Sequence, residues 1–333
     1  MPKTIYIPLL QAAVCVLASM QTTIAADKGV GASAGDYPHR SVRFIVPYTP
    51  GAINDFIARL TAQKLSDVWG KQVVVDNRPG GGTLIGTDLV AKANPDGHTL
   101  LLAPTAFAIN VSLYPKLPYD TLRDFAAVTQ IGTGPYLMVC NPQLPTKSIK
   151  DLVALAKAKP GTLSYASTGS GGSAHLMGEL LKSSARIDMQ HIPYKGLAPG
   201  LTDVMSGQVS CTFGTMVALN AHVKSGRLRA IALTGKVRSK AAPDVPTIAE
   251  AGYADYHATG WWGLVVPAAT PKPIIAKMHT DIVHAAKQAD MRDKLEVQGV
   301  EIIGSTPEQF TAFIKGEITH WGKAVKLSGA KPD

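Results

Sequence analysis

From residue 41 onward the chain alternates short apolar runs with stretches whose apolar residues recur every three or four positions. Val42–Val46 is an apolar-rich run that gives way to a Pro47–Gly51 loop, after which Ile57, Leu60, Leu65 and Val68 recur at helical spacing. Gln72–Val75 reads as the next strand, Asn77–Gly82 as a loop and Leu84–Ala93 as a helix stopped by Asn94-Pro95-Asp96-Gly97. Thr99–Ala103 is a third strand. The middle repeats that logic. A strand at Tyr136–Val139 precedes a helix at Ser148–Ala158, opened by a Ser148 and Asp151 capping pair and closed by Pro160-Gly161. Leu163–Ala166 is a strand, followed by a Gly-rich loop and a helix through about Ser183. Met189–Ile192, Val209–Phe213 and Ala230–Thr234 are further strands. The last third predicts a helix from about Pro273 to Ala289 and another opened by Thr306-Pro307-Glu308-Gln309, with Phe310, Phe313, Ile314, Trp321 and Val325 on one face. Strands separated by helices imply an α/β class with parallel crossovers and ligands near the carboxyl ends of the strands. No Pro/Ser-rich linker or long-period repeat interrupts the pattern, which fits two lobes between which the chain crosses more than once.

A length of 333 residues suits two domains, and 46% apolar with 17% charged residues excludes a disordered chain. The formal charge of +9 comes from lysines and arginines scattered singly, and aromatics are only 6%, so neither a basic stripe nor a base-stacking platform for nucleic acid is present. The N-terminus changes the picture more. Met1–Ile5 carries one lysine, Ile7–Met20 is largely apolar, and Thr23-Ile24-Ala25 or Ile24-Ala25-Ala26 offers small residues for cleavage. Residues 1–26 therefore read as a signal peptide and 27–36 as a flexible mature terminus, which places the mature protein in the periplasm as a soluble monomer. Export permits a disulfide between Cys140 and Cys211. Both cysteines sit in apolar strand-like runs, where a buried free thiol behaves as a small hydrophobe, so the sequence leaves a bridge and two free thiols both open, with free thiols favoured.

Three loops join a strand end to a helix start and are rich in glycine or small polar residues. They are Tyr48–Asp55, Thr168–His175 and Pro193–Gly200. Helix N-termini carry free N–H groups and a partial positive charge, so such loops can hold an anion without a lysine. The second loop satisfies G-x-G-x-x-A through Gly169, Gly171 and Ala174, which leaves a dinucleotide-binding enzyme as a remote alternative. Its acidic partner should end the following strand, yet Asp188 precedes that strand. The chain has no G-x-S-x-G, H-E-x-x-H or paired C-x-x-C, and Ser173 and His175 point to different faces of a helix start. His279 and His284 are too poorly spaced for two ligands on one helix face, so no metal, cofactor or catalytic group is expected. His175 reads as a packing or pocket-wall residue.

The run VRFIVPYTPGAINDFIARLTAQKLSDVWGKQVVVDNRPGGGTLIGTDLVAKANPDGHTLLL resembles the opening of the tripartite tricarboxylate transporter solute receptors, the Bug family. The likeness continues through LPYDTLRDFAAV, PGTLSYASTGSGGSAHLMGELL, HIPYKGLAPGLTDVMSGQV, GRLRAIALTG, PDVPTIAEAGY and WWGLVVPAATP, and covers essentially residues 37–327. The resemblance implies a two-lobed type II periplasmic-binding-protein fold with a central ligand cleft. On that pattern lobe one combines 37–138 with 235–333 and lobe two is 139–234. It also implies a small carboxylate ligand (a di- or tricarboxylate, an acidic amino acid or an aromatic acid) and membrane permease subunits as partners. A receptor for a membrane signalling partner is the alternative, since both roles need only ligand-driven closure.

Carried over residue by residue, Tyr48, Gly51, Ala52, Asn54 and Asp55 face Ser167, Thr168, Gly169, Gly171, Ser173 and His175 across the cleft. Thr105 and Ala106, with Tyr194, Lys195, Ala198 and Pro199, flank them. Ala52 stands where the family usually has a second glycine, Gly172 where Ser or Thr is common, and Gly214 where relatives often carry Asp. Asp55 reads primarily as a first-turn acid of its own helix, because an ionised carboxylate repels a bound one. Lys195 reads as a solvated lysine, and Trp262 as a core residue more than a cleft wall.

Overall fold

The computed structural model of the chain describes Met1 and residues 34–332, so the leader after Met1 and most of the segment 27–36 lie outside the described residues. In chain order the elements begin β1 (Val42–Val46), α1 (Ile53–Trp69), β2 (Val73–Asn77), α2 (Leu84–Ala91), β3 (Thr99–Pro104), α3 (Ala106–Leu113) and β4 (Phe125–Pro135). A second run follows with β5 (Leu137–Cys140), α4 (Ile149–Ala158), β6 (Ser164–Ser167), α5 (Ser173–Ala185), β7 (Gln190–Pro193), α6 (Leu197–Ser206), β8 (Cys211–Gly214), α7 (Met216–Lys224) and β9 (Arg229–Leu233). The chain closes with β10 (Thr259–Pro267), α8 (Lys272–Lys287), α9 (Ala289–Val297), β11 (Glu301–Ile302) and α10 (Pro307–Ser328).

The strands form two sheets. The first has the order β11-β4-β10-β3-β1-β2 and the second β7-β6-β8-β5-β9. Parallel pairing holds for β1 with β2 and β3, and for β6 with β7 and β8. The remaining pairings depart from the parallel expectation: β10 runs antiparallel to β3 and β4, and β5 antiparallel to β8 and β9. Neither β4 nor β10 stands out in the sequence, because glycines break their alternation. The packing explains those glycines. A Cβ on Gly132 would sit 2.7 Å from the Glu301 carbonyl oxygen, and one on Gly263 would run into the Phe310 ring of α10.

The structure decides between the bridge and the free thiols that the sequence leaves open. Cys140 and Cys211 are direct partners in the β5–β8 register and are joined by a disulfide. The sequence hides this because the pairing depends on which strands of the second sheet become neighbours.

Because β1, β2 and β3 are parallel, the loops that open α1, α2 and α3 share one edge of the first sheet. The loops that open α5, α6 and α7 likewise share one edge of the second. The chain passes between the sheets at Tyr136 and again after β9, and the two passages lie side by side. Tyr136 N–H donates to Thr234 Oγ1 at 2.8 Å, and Thr234 N–H donates to the Tyr136 carbonyl at 3.0 Å. One apolar cluster unites Leu113, Trp261 and Trp321 with Tyr165, Leu176 and Met177 of the second sheet's layer. Helix α10 packs on α3, β4 and α5, and its Glu317 accepts both indole N–H groups, from Trp261 and Trp321, at 2.8 Å. Its start is the Thr306–Gln309 capping box that the sequence pattern predicts.

Candidate functional site

The first loop is held by its own acid. Asp55, in the first turn of α1, is buried and accepts from Gly51 N–H at 3.1 Å, Arg59 Nε at 2.9 Å and Asn77 Nδ2 at 3.0 Å. Burial alone would raise its pKa. The bonds from Arg59, Gly51 and Asn77, with the Arg59 charge, outweigh that and hold the carboxyl below the usual range. Asp55 therefore stays ionised and engaged with its own loop. Asn77 Nδ2 also donates to the Tyr48 carbonyl at 3.1 Å, and Asn54 Oδ1 accepts from Trp262 Nε1 at 2.8 Å. Trp262 is thus a buried residue that anchors the loop from beneath. Ala52 is the extended residue before α1, whose first amides have no carbonyl within the helix to donate to. Along the same edge, Thr105 is buried and its Oγ1 accepts from Trp261 N–H at 3.1 Å, while Ala106 begins α3.

The second loop is braced by stacked histidines. Gly171 N–H donates to His175 Nδ1 at 2.9 Å, which puts the proton of a neutral ring on Nε2. His175 lies flat on His191, with ring centroids 3.7 Å apart, and His191 Nε2 meets Ser167 Oγ at 2.6 Å. Ser167 Oγ donates to the Gly169 carbonyl at 2.9 Å. His175 is buried and serves as packing and brace, as its sequence context suggests. Thr168 is exposed, and Ser173 opens α5.

Tyr136, at the crossing between the sheets, reaches the second loop. Burial raises its pKa against a lowering hydrogen bond from Ser173, and burial followed by the neighbouring Tyr136 raises that of Tyr48. Both phenols stay neutral, and the Tyr136–Ser173 hydrogen bond ties the crossing to the start of α5. Tyr136 is absent from the sequence-based site; its only signal there is its place between two groups of strands.

The third loop hangs from the second through Tyr194 N–H, which donates to the Ser167 carbonyl at 3.0 Å. The Tyr194 hydroxyl donates to Asp203 Oδ2 at 2.5 Å, and burial together with that carboxylate pushes its pKa up to about 12. Lys195, Ala198 and Pro199 are exposed. Two of the three family departures have a local account. A Cβ on Gly214 would fall 2.9 Å from Leu219 Cδ1, so an Asp there requires Leu219 to move. One on Gly172 would meet nothing closer than 3.4 Å, so a Ser would fit. Sequence reasoning also passes over the Gly80–Thr83 loop after β2, although three glycines between a strand and a helix are a visible signal. Asn110 Nδ2 holds this loop through the Gly82 carbonyl at 2.8 Å, and the Tyr114 hydroxyl holds it through the Gly81 carbonyl at 3.1 Å.

A family model described as "Tripartite tricarboxylate transporter family receptor" matches residues 57–329. Protein BugT of Bordetella pertussis is 39% identical over 303 residues, covering 90% of this chain and 92% of BugT. The structure of R. palustris Rpa4515 with adipate superposes with a TM-score of 0.82 at 32% identity, covering 90% of this chain and 100% of that one. MatC from Rhodopseudomonas palustris with bound malate gives 0.77 at 29% identity, covering 87% and 100%.

Proposed function

The chain belongs to the tripartite tricarboxylate transporter receptor family, whose members are binding receptors and not enzymes, and from that membership we propose that it captures a small organic dicarboxylate or tricarboxylate between its two lobes and delivers it to the permease subunits of such a transporter. The observation that carries this reading is that the loop edges of the two sheets come together, with Leu113 of α3 packed on Gly171 and Tyr136 of the crossing hydrogen-bonded to Ser173 at the start of α5. The amides at the starts of α1 and α5 supply donors and partial positive charge for a carboxylate. Tyr48, Gly51, Ala52, Asn54, Thr105 and Ala106 form one wall. Ser167, Thr168, Gly169, Gly171, Ser173 and His175 form the other, with Tyr194, Lys195, Ala198 and Pro199 at the rim. Asp55 contributes by fixing Gly51.

Lobe one is taken as 37–138 with 235–333 and lobe two as 139–234; the change of sheet at Tyr136 favours a division in this region, with Leu137 and Met138 already paired in the second sheet. Relatives are periplasmic transporter receptors, and residues 1–26 are the leader that takes this chain to the same compartment. The adipate and malate bound by the two related structures favour aliphatic dicarboxylates as first candidates, with aromatic diacids next.

Native mass spectrometry of the protein purified from periplasm, then calorimetry with a carboxylate panel, tests the reading. A ligand at a hundred times its Kd should add about 2.7 kcal/mol. That raises the melting temperature by roughly 4–5 °C for a chain of this size. A panel without any response, beside clear binding of NAD or a sugar, overturns it.

A further inference from the structure

Among the contacts between the two lobes, two are made by an apolar side chain seated on a glycine of the other sheet's half. Leu113 of α3 packs on Gly171, where a Cβ would run into it. Met216, the first residue of α7, packs on Gly299 in the turn before β11. Gly299 has a φ of 75°, and a Cβ there would lie 2.6 Å from Met216 Sδ and 3.1 Å from its Cε. Met216 is 1% exposed.

The crossings lie between these two contacts. In the first sheet, β4 and β10 separate β11, next to Gly299, from β3, which leads into α3. In the second sheet Gly171 turns towards the layer of α4 and α5, whereas Met216 belongs to the opposite layer with Leu201, Val204 and Leu219. With the contacts so placed, a rotation about the paired Tyr136 and Thr234 strands that parted Leu113 from Gly171 would press Met216 against Gly299.

We propose that Met216 on Gly299 is a backstop behind the hinge, a positioning pair that sets the open–closed balance and hence the affinity for every carboxylate without touching one. This rests on the receptor reading above. Filling the notch at Gly299 props the rear apart and favours closure at the ligand loops. The apparent affinity of a closing receptor scales with the fraction of molecules already competent to bind, so a wedge tightens binding until that fraction reaches one.

The test is calorimetry with adipate and malate on Gly299→Ala and, as a wedge that leaves the positive-φ backbone alone, Met216→Phe, with small-angle scattering on the ligand-free proteins. Both variants should bind about tenfold more tightly and show a smaller radius of gyration without ligand. Adding Met216→Ala to Gly299→Ala clears the notch and should return the affinity towards wild type. General damage loosens binding, so tightening distinguishes the backstop from a merely structural contact. Wild-type binding with unchanged or weaker affinity in both folded wedges overturns the proposal. Failure of the wild type to bind any carboxylate overturns the receptor reading instead, and the scattering then decides the backstop alone: no compaction in either wedge sinks it.

Discussion

Breaking the Cys140–Cys211 bridge should destabilise the protein by an amount that follows from its place in the chain. The two cysteines are 71 residues apart, so the bond closes most of the second sheet's segment into one loop. Chain entropy for a loop of that length gives about 4 kcal/mol of stabilisation through the unfolded state. Unfolding a chain of this size releases an entropy of about 0.6 kcal/mol/K, so losing the bond should lower the melting temperature by about 7 °C. Both sulfurs are fully buried between β5 and β8. A Cys140→Ala/Cys211→Ala variant therefore adds a small packing loss in the same direction. Scanning calorimetry of the double variant against wild type, without reductant, measures the shift. Alkylation of the denatured, unreduced protein followed by mass mapping reads the bond directly. Free thiols at Cys140 and Cys211, or a variant melting within about 1 °C of wild type, would refute the reasoning.

Three further outcomes are expected. Asp55→Asn should cost about 1 kcal/mol at neutral pH, a modest figure because Arg59 is 55% exposed and its charge is screened. The Asp55 pKa is depressed in the folded state, so its contribution is complete above the ordinary Asp pKa of about 3.9 and is lost as pH falls below it. The variant's acid limb should be flatter in a pH series of melts, and an unchanged limb contradicts the role. Gly171→Ala should weaken carboxylate binding at least about tenfold through its collision with Leu113, with recovery in Gly171→Ala/Leu113→Ala. Lys195→Ala should change affinity only a few-fold, in a salt-dependent way; calorimetry giving the reverse order would discard the amide-based grip. Succinate and glutarate should bind about 1–3 kcal/mol more tightly than aspartate and glutamate, because Asp55, the acid of the first loop, is already engaged by Gly51 and Arg59 and is not free to meet an ammonium group. Tightest binding of an amino acid in parallel titrations would show that another acid serves it.

Features governed by neighbours a few residues apart were legible in the sequence. The bounds of β1, the Ser148 and Thr306 caps and the three strand-to-helix loops depend on periodicity and on side chains three or four positions away. The tertiary structure alone decided whatever depends on distant segments meeting. The glycine-broken strands β4 and β10 become recognisable only once Glu301 and Phe310 are seen to need the space. Cys140 meets Cys211 because β5 and β8 become neighbours, and Tyr136 joins the candidate site because the chain changes sheet there. Asp55 carries the same letter whether it faces a ligand or its own loop; Asn77, 22 residues away, and Arg59 settle which. Met216 and Gly299 look ordinary in their local contexts, and only the folding of α7 against the turn before β11 makes them a pair. Local pattern records the preferences of a backbone a few residues long, whereas register, sheet order and closure are set by contacts whose partners are named nowhere nearby in the chain.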